Sequence, residues 1–393
     1  MICVGTMIGA GYASGQEVVA YFGPRPSLAV PVICGALMFV FTAVLLGVGS
    51  CTSGDLSDVN RTLFRKAGGA ADGVMLANAV IVLSAMMAGT DSALTSLTGV
   101  ELPYGVMLCL TGIYVVRRGG GGLAKANTVL VPCIAVTLGA VCVNAGLDLT
   151  GAFSLTELPS GFAYVSMNLL LGAGVLVTRR GMTAGQVLAA SGISALTIAG
   201  LLTLICGALP FAPAGVMPLM ELSSGSRVIY ALYVICLLCS IFTTMIGALS
   251  TVRDKFASKN AGGEGMLAAA LAGSLLSVLG FDKLVGRLYP LIGVIGGAYL
   301  IRCAAFLFAR IKLFHKRNGA VHERGKGAQC DRSGHDEIGL EHLTSVYDKI
   351  PESGAGYEIF AHDRTHPAES DIDLKHGQKG GDGGGQNGVA QKL

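Results

Sequence analysis

Ten apolar stretches, separated by short polar segments, follow one another over the first 314 residues. A helix needs about 20 mostly apolar residues to cross the hydrocarbon core of a bilayer. The pattern therefore predicts ten membrane-spanning helices, of which the fourth is short. Their predicted limits are 2–22, 27–50, 73–99, 103–116, 127–146, 161–178, 184–209, 228–252, 265–281 and 288–314.

The lysines and arginines predict how these spans are oriented. With the N-terminus in the cytoplasm, thirteen of them fall in loops on the cytoplasmic side and four in external loops, which is the usual positive-inside bias. We therefore expect a multi-pass protein of the plasma membrane with both termini in the cytoplasm. The thirteen are Arg61, Arg65, Lys66, Arg117, Arg118, Lys125, Arg179, Arg180, Arg253, Lys255, Lys259, Arg310 and Lys312, and the four are Arg25, Arg227, Lys283 and Arg287.

The last 79 residues differ in character from the rest of the chain. They are polar, rich in glycine towards the end, and contain all seven histidines. Such a segment buries too little apolar surface to offset the entropy lost on ordering. We predict a transmembrane domain over 1–314 and a cytoplasmic, mostly disordered tail over 315–393, with one short helix near 336–350.

Composition supports a membrane protein and excludes several other classes. Hydrophobic residues make up 52% of the chain and the mean hydropathy is +0.62, so the lipid bilayer is the expected surrounding. The net charge of +3 is too small for a nucleic-acid partner. The 11 cysteines form no zinc or disulfide pattern. We expect no cofactor, and no metal beyond a coupling sodium ion.

Two of the predicted spans contain interruptions at matching places. The first reads MICVGTMIGAGYASGQE, with glycines at its centre, and the sixth has Ser166 and Asn168 followed by Gly172 and Gly174. An offset of 157 residues carries Gly11 onto Asn168. Paired interruptions in spans one and six predict a five-plus-five inverted repeat with both helices broken around a midplane site. The alternative for the first span is close helix packing through its GxxxG pairs.

The GTMIGAGYASGQE segment, supported by AYVSMNLLLGAG, resembles the YkvI-like bacterial membrane proteins. These are distant relatives of the amino acid/polyamine/organocation transporters, which share the LeuT-type fold. The resemblance covers roughly residues 1–314 and implies an all-α inner-membrane transporter. Family members begin earlier than Met1 relative to this motif, so we expect the native start to lie upstream. The resemblance identifies no substrate.

The resemblance also implies where substrate and ion would bind. Backbone amides at the break would receive a substrate carboxylate, and the sixth span would line the pocket. A sodium ion would be held by two first-span carbonyls and by eighth-span hydroxyls, although such hydroxyls often bond to their own helix instead. Tyr12 stands where relatives with two sodium ions have an Asn, which argues against a second sodium site. The substrate residues are Gly9, Ala10, Gly11, Val165, Asn168 and Leu171, and the ion residues are Gly5, Ile8, Ser240, Thr243 and Thr244.

Two carboxylates within the predicted spans are functional candidates, because an unpaired acid inside a membrane is costly. Glu17 follows the break and has three open roles: it could carry a proton, bind a substrate amine, or stabilise the N-terminal end of the second half-helix. Asp91, in the third span, ranks below it because it lies towards the external end.

These features favour a secondary transporter of a small amino acid, amine or related solute, driven by sodium or protons through alternating access. The alternative is a ligand sensor with the same fold that signals through a partner without transport. An ATP-driven pump is not supported, because the chain has no P-loop motif. An intramembrane hydrolase is not supported either, because Glu17 and Asp91 match no protease motif, so we expect no enzyme activity. The oligomeric state is left open.

Overall fold

The computed structural model describes residues 4–5, 8, 10–119, 122–150, 153–213, 215–257 and 261–329. The regular structure within these ranges is helical. Thirteen helices are numbered here in chain order, and a π-helix at Leu284–Leu288 precedes the last of them. They are α1 Ala10–Ser14, α2 Gln16–Phe22, α3 Ala29–Cys51, α4 Leu56–Phe64, α5 Gly68–Thr98, α6 Tyr104–Arg117, α7 Gly122–Ala145, α8 Leu158–Leu176, α9 Ala184–Ala208, α10 Pro218–Ser223, α11 Arg227–Ala257, α12 Gly262–Ser277 and α13 Tyr289–Gln329.

Seven helical segments among the described residues are long and apolar enough to cross a membrane, and α6 is a shorter apolar helix. Each predicted span overlaps one or more of the helices. Apolar side chains on the outer faces are strongly exposed, such as Leu275 at 76% and Leu196 at 76%. Contact with lipid accounts for such surfaces in a membrane protein.

The long helices form two neighbouring groups. In one group α3 packs against α8 and α9, and in the other α5 packs against α11 and α12. The short α1 contacts α11, and α2 contacts α8 and the π-helix, so the first segment lies between the two groups.

Small residues allow α13 to approach α8 closely. A methyl group on Gly293 would overlap the backbone of Ala163, and one on Gly296 would come within 2.9 Å of the Ser166 carbonyl oxygen. Such backbone contact is typical of membrane helices that pack through small residues. The start of α13 is thereby held beside the middle of α8.

The first predicted span is interrupted, as expected. Ile8 lies outside any helix, and Gly15 separates α1 from α2 with a left-handed φ of 79°. Glycine adopts this conformation without steric cost. The Leu219 side chain of α10 lies 3.0 Å from the point where a Cβ of Gly15 would be, so the turn is covered by the loop between α9 and α11.

The predicted break in the sixth span is wrong: α8 is one continuous helix over 19 residues. The polar residue that suggested an interruption supports the helix instead, because the Asn168 amide nitrogen Nδ2 donates to the Tyr164 carbonyl 3.1 Å away, one turn earlier. Gly172 and Gly174 are accommodated within the same helix. A weak glycine propensity does not break a helix that is packed on several sides.

The chain contacts divide the protein into two units, 1–326 and 327–393. Helix α13 continues to Gln329, which is beyond the predicted domain boundary at residue 314. Residues 330–393, including the predicted short helix at 336–350, lie outside the described residues. Disorder of the tail therefore stays a prediction.

Candidate functional site

Interrupting the first segment leaves backbone carbonyls without their usual helical partners, and α11 supplies replacements. The Ser240 hydroxyl donates to the Ile8 carbonyl at 2.6 Å. The Tyr233 hydroxyl donates to the Ala13 carbonyl at 2.8 Å. Ser240 and Tyr233 are seven residues apart, which places them on one face of α11 two turns from each other. Because unpaired carbonyls are costly inside a membrane, these two bonds make an interrupted first segment tolerable there.

The residues predicted to hold sodium are partly brought together. Ile8 and Ser240 are in direct contact, and Thr244 is buried one turn further along α11 with its hydroxyl oxygen lacking a hydrogen-bond partner. The Thr243 hydroxyl donates to the Ser240 carbonyl at 3.1 Å, which is the alternative role of a helix hydroxyl. Gly5 is buried in a helical segment before Ile8. Sodium binding stays a prediction.

The predicted substrate residues on α8 are largely buried. Val165 and Asn168 are buried and Leu171 is half-buried. The Asn168 side chain also lies close to the Glu17 carboxyl group. Gly11 lies in α1, Gly9 lies outside the described residues, and nothing is described of the Ala10 side chain.

Glu17 is the most unusual residue of the site. It is 3% exposed, and its oxygen Oε2 has no hydrogen-bond partner. The three ion pairs in the described part of the chain join Arg61 to Asp58, Arg253 to Asp254 and Lys255 to Asp72. None of them includes Glu17, so its carboxyl group is buried without a charged partner among these residues.

Sequence reasoning missed a group of tyrosines around Glu17. Tyr21, Tyr164 and Tyr289 lie close enough to interact electrostatically with its carboxyl group. The hydroxyls of Tyr21 and Tyr164 are buried without hydrogen-bond partners, whereas Tyr12 donates to the Ile198 carbonyl at 3.1 Å. Tyrosines inside predicted spans were the available signal, since a buried hydroxyl needs a partner.

Gln16 connects the site to the helical turn that precedes the π-helix. Its amide nitrogen donates to Asp282 at 3.1 Å, and its buried amide oxygen has no partner. Asp282 lies in the helical turn Phe281–Lys283 that precedes the π-helix. π-Helical turns often occur at functional positions, and this one contacts α2 directly.

Asp91, the second carboxylate predicted from the sequence, has a structural partner. Its oxygen Oδ1 accepts a 2.7 Å hydrogen bond from the Gly105 amide in the first turn of α6. Amides of a first helical turn have no partner within the helix. Asp91 therefore caps α6, and a role in transport stays a prediction.

A cluster of three or more His, Cys, Asp or Glu side chains that could hold a metal ion does not occur among the described residues. The hard oxygen ligands described above are the kind of atoms that bind sodium.

Comparisons with known proteins agree with the predicted relationship. The chain is 21% identical over 324 residues to the uncharacterized membrane protein YkvI of Bacillus subtilis (strain 168), covering 76% of this chain and 92% of YkvI. It is 24% identical over 327 residues to the uncharacterized protein YyaD of the same organism, covering 77% and 94%. No family model matches the chain.

The fold is similar to that of MhsT, solved in complex with L-phenylalanine. The TM-score is 0.54 at 14% identity, with 76% of this chain and 86% of the MhsT chain covered. MhsT has the LeuT-type fold. The expected resemblance to YkvI and to LeuT-type proteins is thus confirmed, and none of these relatives is named as an enzyme.

Proposed function

We propose that this multi-pass membrane protein of LeuT-type fold is a secondary transporter of a small amine-bearing solute. It would work by alternating access, driven by sodium or protons, from ten spans in a five-plus-five repeat. The observation that carries the proposal is the interrupted first segment, which lies between two helix groups with a buried, unpaired Glu17 beside it. An unpaired carboxylate inside a membrane costs free energy, so its presence indicates a functional role.

Two features of the site support alternating access. The first segment is joined to α11 by the Ser240–Ile8 and Tyr233–Ala13 hydrogen bonds, and to α8 by the contact between Glu17 and Asn168. A shift of one helix group relative to the other would therefore change the surroundings of Glu17 and of the Ile8 carbonyl. MhsT, whose complex contains L-phenylalanine, shares the fold and supports a solute of similar size.

The lysine and arginine distribution supports a plasma-membrane location with cytoplasmic termini. We propose sodium and protons as alternative coupling ions. The Ile8 carbonyl with Ser240 and Thr244 would serve sodium, and Glu17 would serve a proton.

The test is uptake of radiolabelled amino acids and amines into proteoliposomes that hold the full chain, under sodium or pH gradients. We expect accumulation that collapses with the gradient, and its loss in Asn168→Ala and Thr244→Ala. Thr111→Ala is the matched control, since Thr111 is exposed and its hydroxyl donates to the Met107 carbonyl of its own helix. Wild-type uptake in both site variants would refute the site, and binding without accumulation would favour a sensor.

A further inference from the structure

The Glu17 carboxyl group lies directly against the backbone of Gly11. A Cβ atom on Gly11 would overlap the Glu17 carboxyl and its Cγ. The side chain thus reaches back across the Gly15 turn from α2 to α1. It lies on the Cβ side of Gly11, close to the amides where the resemblance placed a substrate carboxylate. A second carboxylate there would meet a like charge in a buried site.

The charge of Glu17 also lacks a counter-ion within the described chain. Oε2 has no hydrogen-bond partner although the residue is 97% buried (3% exposed). Tyr164 and Asn168 of α8 and Tyr289 of α13 lie nearby. The charged side chains of the turn and π-helix, Asp282, Lys283 and Arg287, are exposed. A buried carboxyl group is stable when it is paired with an opposite charge or is protonated. No described side chain supplies that charge, so we expect it to be neutralised by a bound cation or by a proton.

Three tyrosines from different elements, Tyr21, Tyr164 and Tyr289, lie within electrostatic range of the carboxyl group. The Tyr21 and Tyr164 rings meet edge-on with centroids 5.3 Å apart, and the Phe22 and Tyr164 rings meet at 5.6 Å. Aromatic rings around one carboxylate form the kind of site that recognises an organic ammonium group, through ion pairing and cation–π attraction.

We infer that the substrate is a small organic amine without a carboxylate group, and that Glu17 is the counter-ion of its ammonium group. The unpartnered hydroxyls of Tyr21 and Tyr164 are available to accept hydrogen bonds from that ammonium. This inference rests on the proposed transport function and selects one substrate class for the same site.

Amines and amino acids that differ solely by a carboxylate give a direct test. The probes are phenethylamine with L-phenylalanine, isobutylamine with L-valine, and cadaverine with L-lysine. Thermal unfolding of the purified full-length wild-type protein is measured with each compound. We expect at least one amine to raise the melting temperature and to bind about tenfold or more tightly than its amino acid, which corresponds to about 1.4 kcal/mol. Equal or tighter binding of the amino acid would overturn the inference, as would no shift with any amine.

Variants then test the role of Glu17. Glu17→Gln keeps the shape of the side chain and removes its charge, so the amine-dependent shift should disappear. Glu264→Gln is the matched control, since it makes the same substitution at an exposed acid in the first turn of α12. An unchanged amine shift in Glu17→Gln would overturn the assignment. If Glu17→Gln does not fold, the comparison of amine with amino acid in the wild type still decides the substrate class.

The outcomes separate this inference from the proposed function. Amine binding that depends on Glu17, without accumulation in proteoliposomes, would support the site and refute transport. Gradient-driven uptake of amino acids with no amine preference would support transport and refute the inference. A third outcome is a melting temperature that depends on pH in the wild type but not in Glu17→Gln, with no shift from any amine. It would show that a proton neutralises Glu17, and it would overturn the amine assignment.

Discussion

Single hydroxyl groups hold the first segment in its interrupted form. Tyr233 is 1% exposed and Ser240 is fully buried, and each donates to a carbonyl that an unbroken helix would satisfy by itself. A net hydrogen bond is worth about 1 kcal/mol, but leaving its buried partner unpaired costs more. The two residues therefore determine where α11 contacts α1 and the stretch before it.

Tyr233→Phe tests this at the residue scale. The substitution removes one oxygen and leaves the Ala13 carbonyl buried and unpaired, so we expect a loss of about 1–3 kcal/mol in unfolding free energy. The measurement is unfolding in mixed micelles by titration with a denaturing detergent. Tyr114→Phe, at an exposed tyrosine of α6, should change stability by less than about 0.5 kcal/mol. Equal effects of the two substitutions would contradict the structural role of Tyr233.

Interactions between neighbouring elements explain why the two suspected breaks differ. The first segment is interrupted because Gly15 takes a left-handed turn and α11 supplies hydroxyls for the free carbonyls. In α8 the Asn168 side chain donates to the Tyr164 carbonyl of the same helix, and the helix stays continuous. The same kind of sequence, with polar and small residues within an apolar span, therefore has opposite outcomes in two packing environments.

The capping of α6 by Asp91 gives a prediction at the element scale. Asp91→Ala removes the acceptor of the Gly105 amide in the first turn of α6, so we expect a loss of about 1–3 kcal/mol. Asp91→Asn keeps a side-chain oxygen and should lose clearly less. The two variants are compared by thermal unfolding. Equal losses in the two variants would show that the charge of Asp91, rather than its acceptor oxygen, matters.

A second buried polar network joins distant parts of the molecule. The Asn60 amide of α4 donates to Asp72 of α5 at 2.7 Å, and the Tyr299 hydroxyl of α13 donates to Asn60 at 3.1 Å. Lys255 of α11 pairs with Asp72 and donates to Ser57 at 2.9 Å. Four helices thus meet through one ion pair and its hydrogen bonds, on the side of the membrane predicted to be cytoplasmic.

Lys255→Met tests this network at the scale of the whole molecule. The Asp72 side chain is 7% exposed and would lose its counter-ion. Because the Lys255 side chain is 34% exposed and water can reach the pair, we expect a loss of about 1–3 kcal/mol, below that of a fully buried pair. Adding Asp72→Asn should recover part of it in a double-mutant cycle measured by unfolding. Strictly additive losses would show that the two residues act independently.

Much of the fold was predictable because a bilayer restricts it strongly. Every predicted span overlaps a helix, since a membrane-spanning backbone must satisfy its own hydrogen bonds. The interruption of the first segment was also foreseen from its residue types, and the resemblance to LeuT-type proteins singled out Ile8 and Ser240, which are in contact. The tyrosines around Glu17 were not, because Tyr164, Tyr289 and Tyr21 come from three separate elements whose approach depends on tertiary packing.

The sequence by itself determined the membrane class, the positions of the helices and the residues capable of chemistry at the first segment. These follow from local composition, because hydrophobic length and glycine content act over a few turns of chain. The tertiary structure alone decided that α8 is unbroken, that Asp91 caps α6, and that Glu17 lies on Gly11 without a charged partner among the described residues. These depend on which groups from distant segments are within about 3 Å, and hydrogen bonds and ion pairs are decided at that distance.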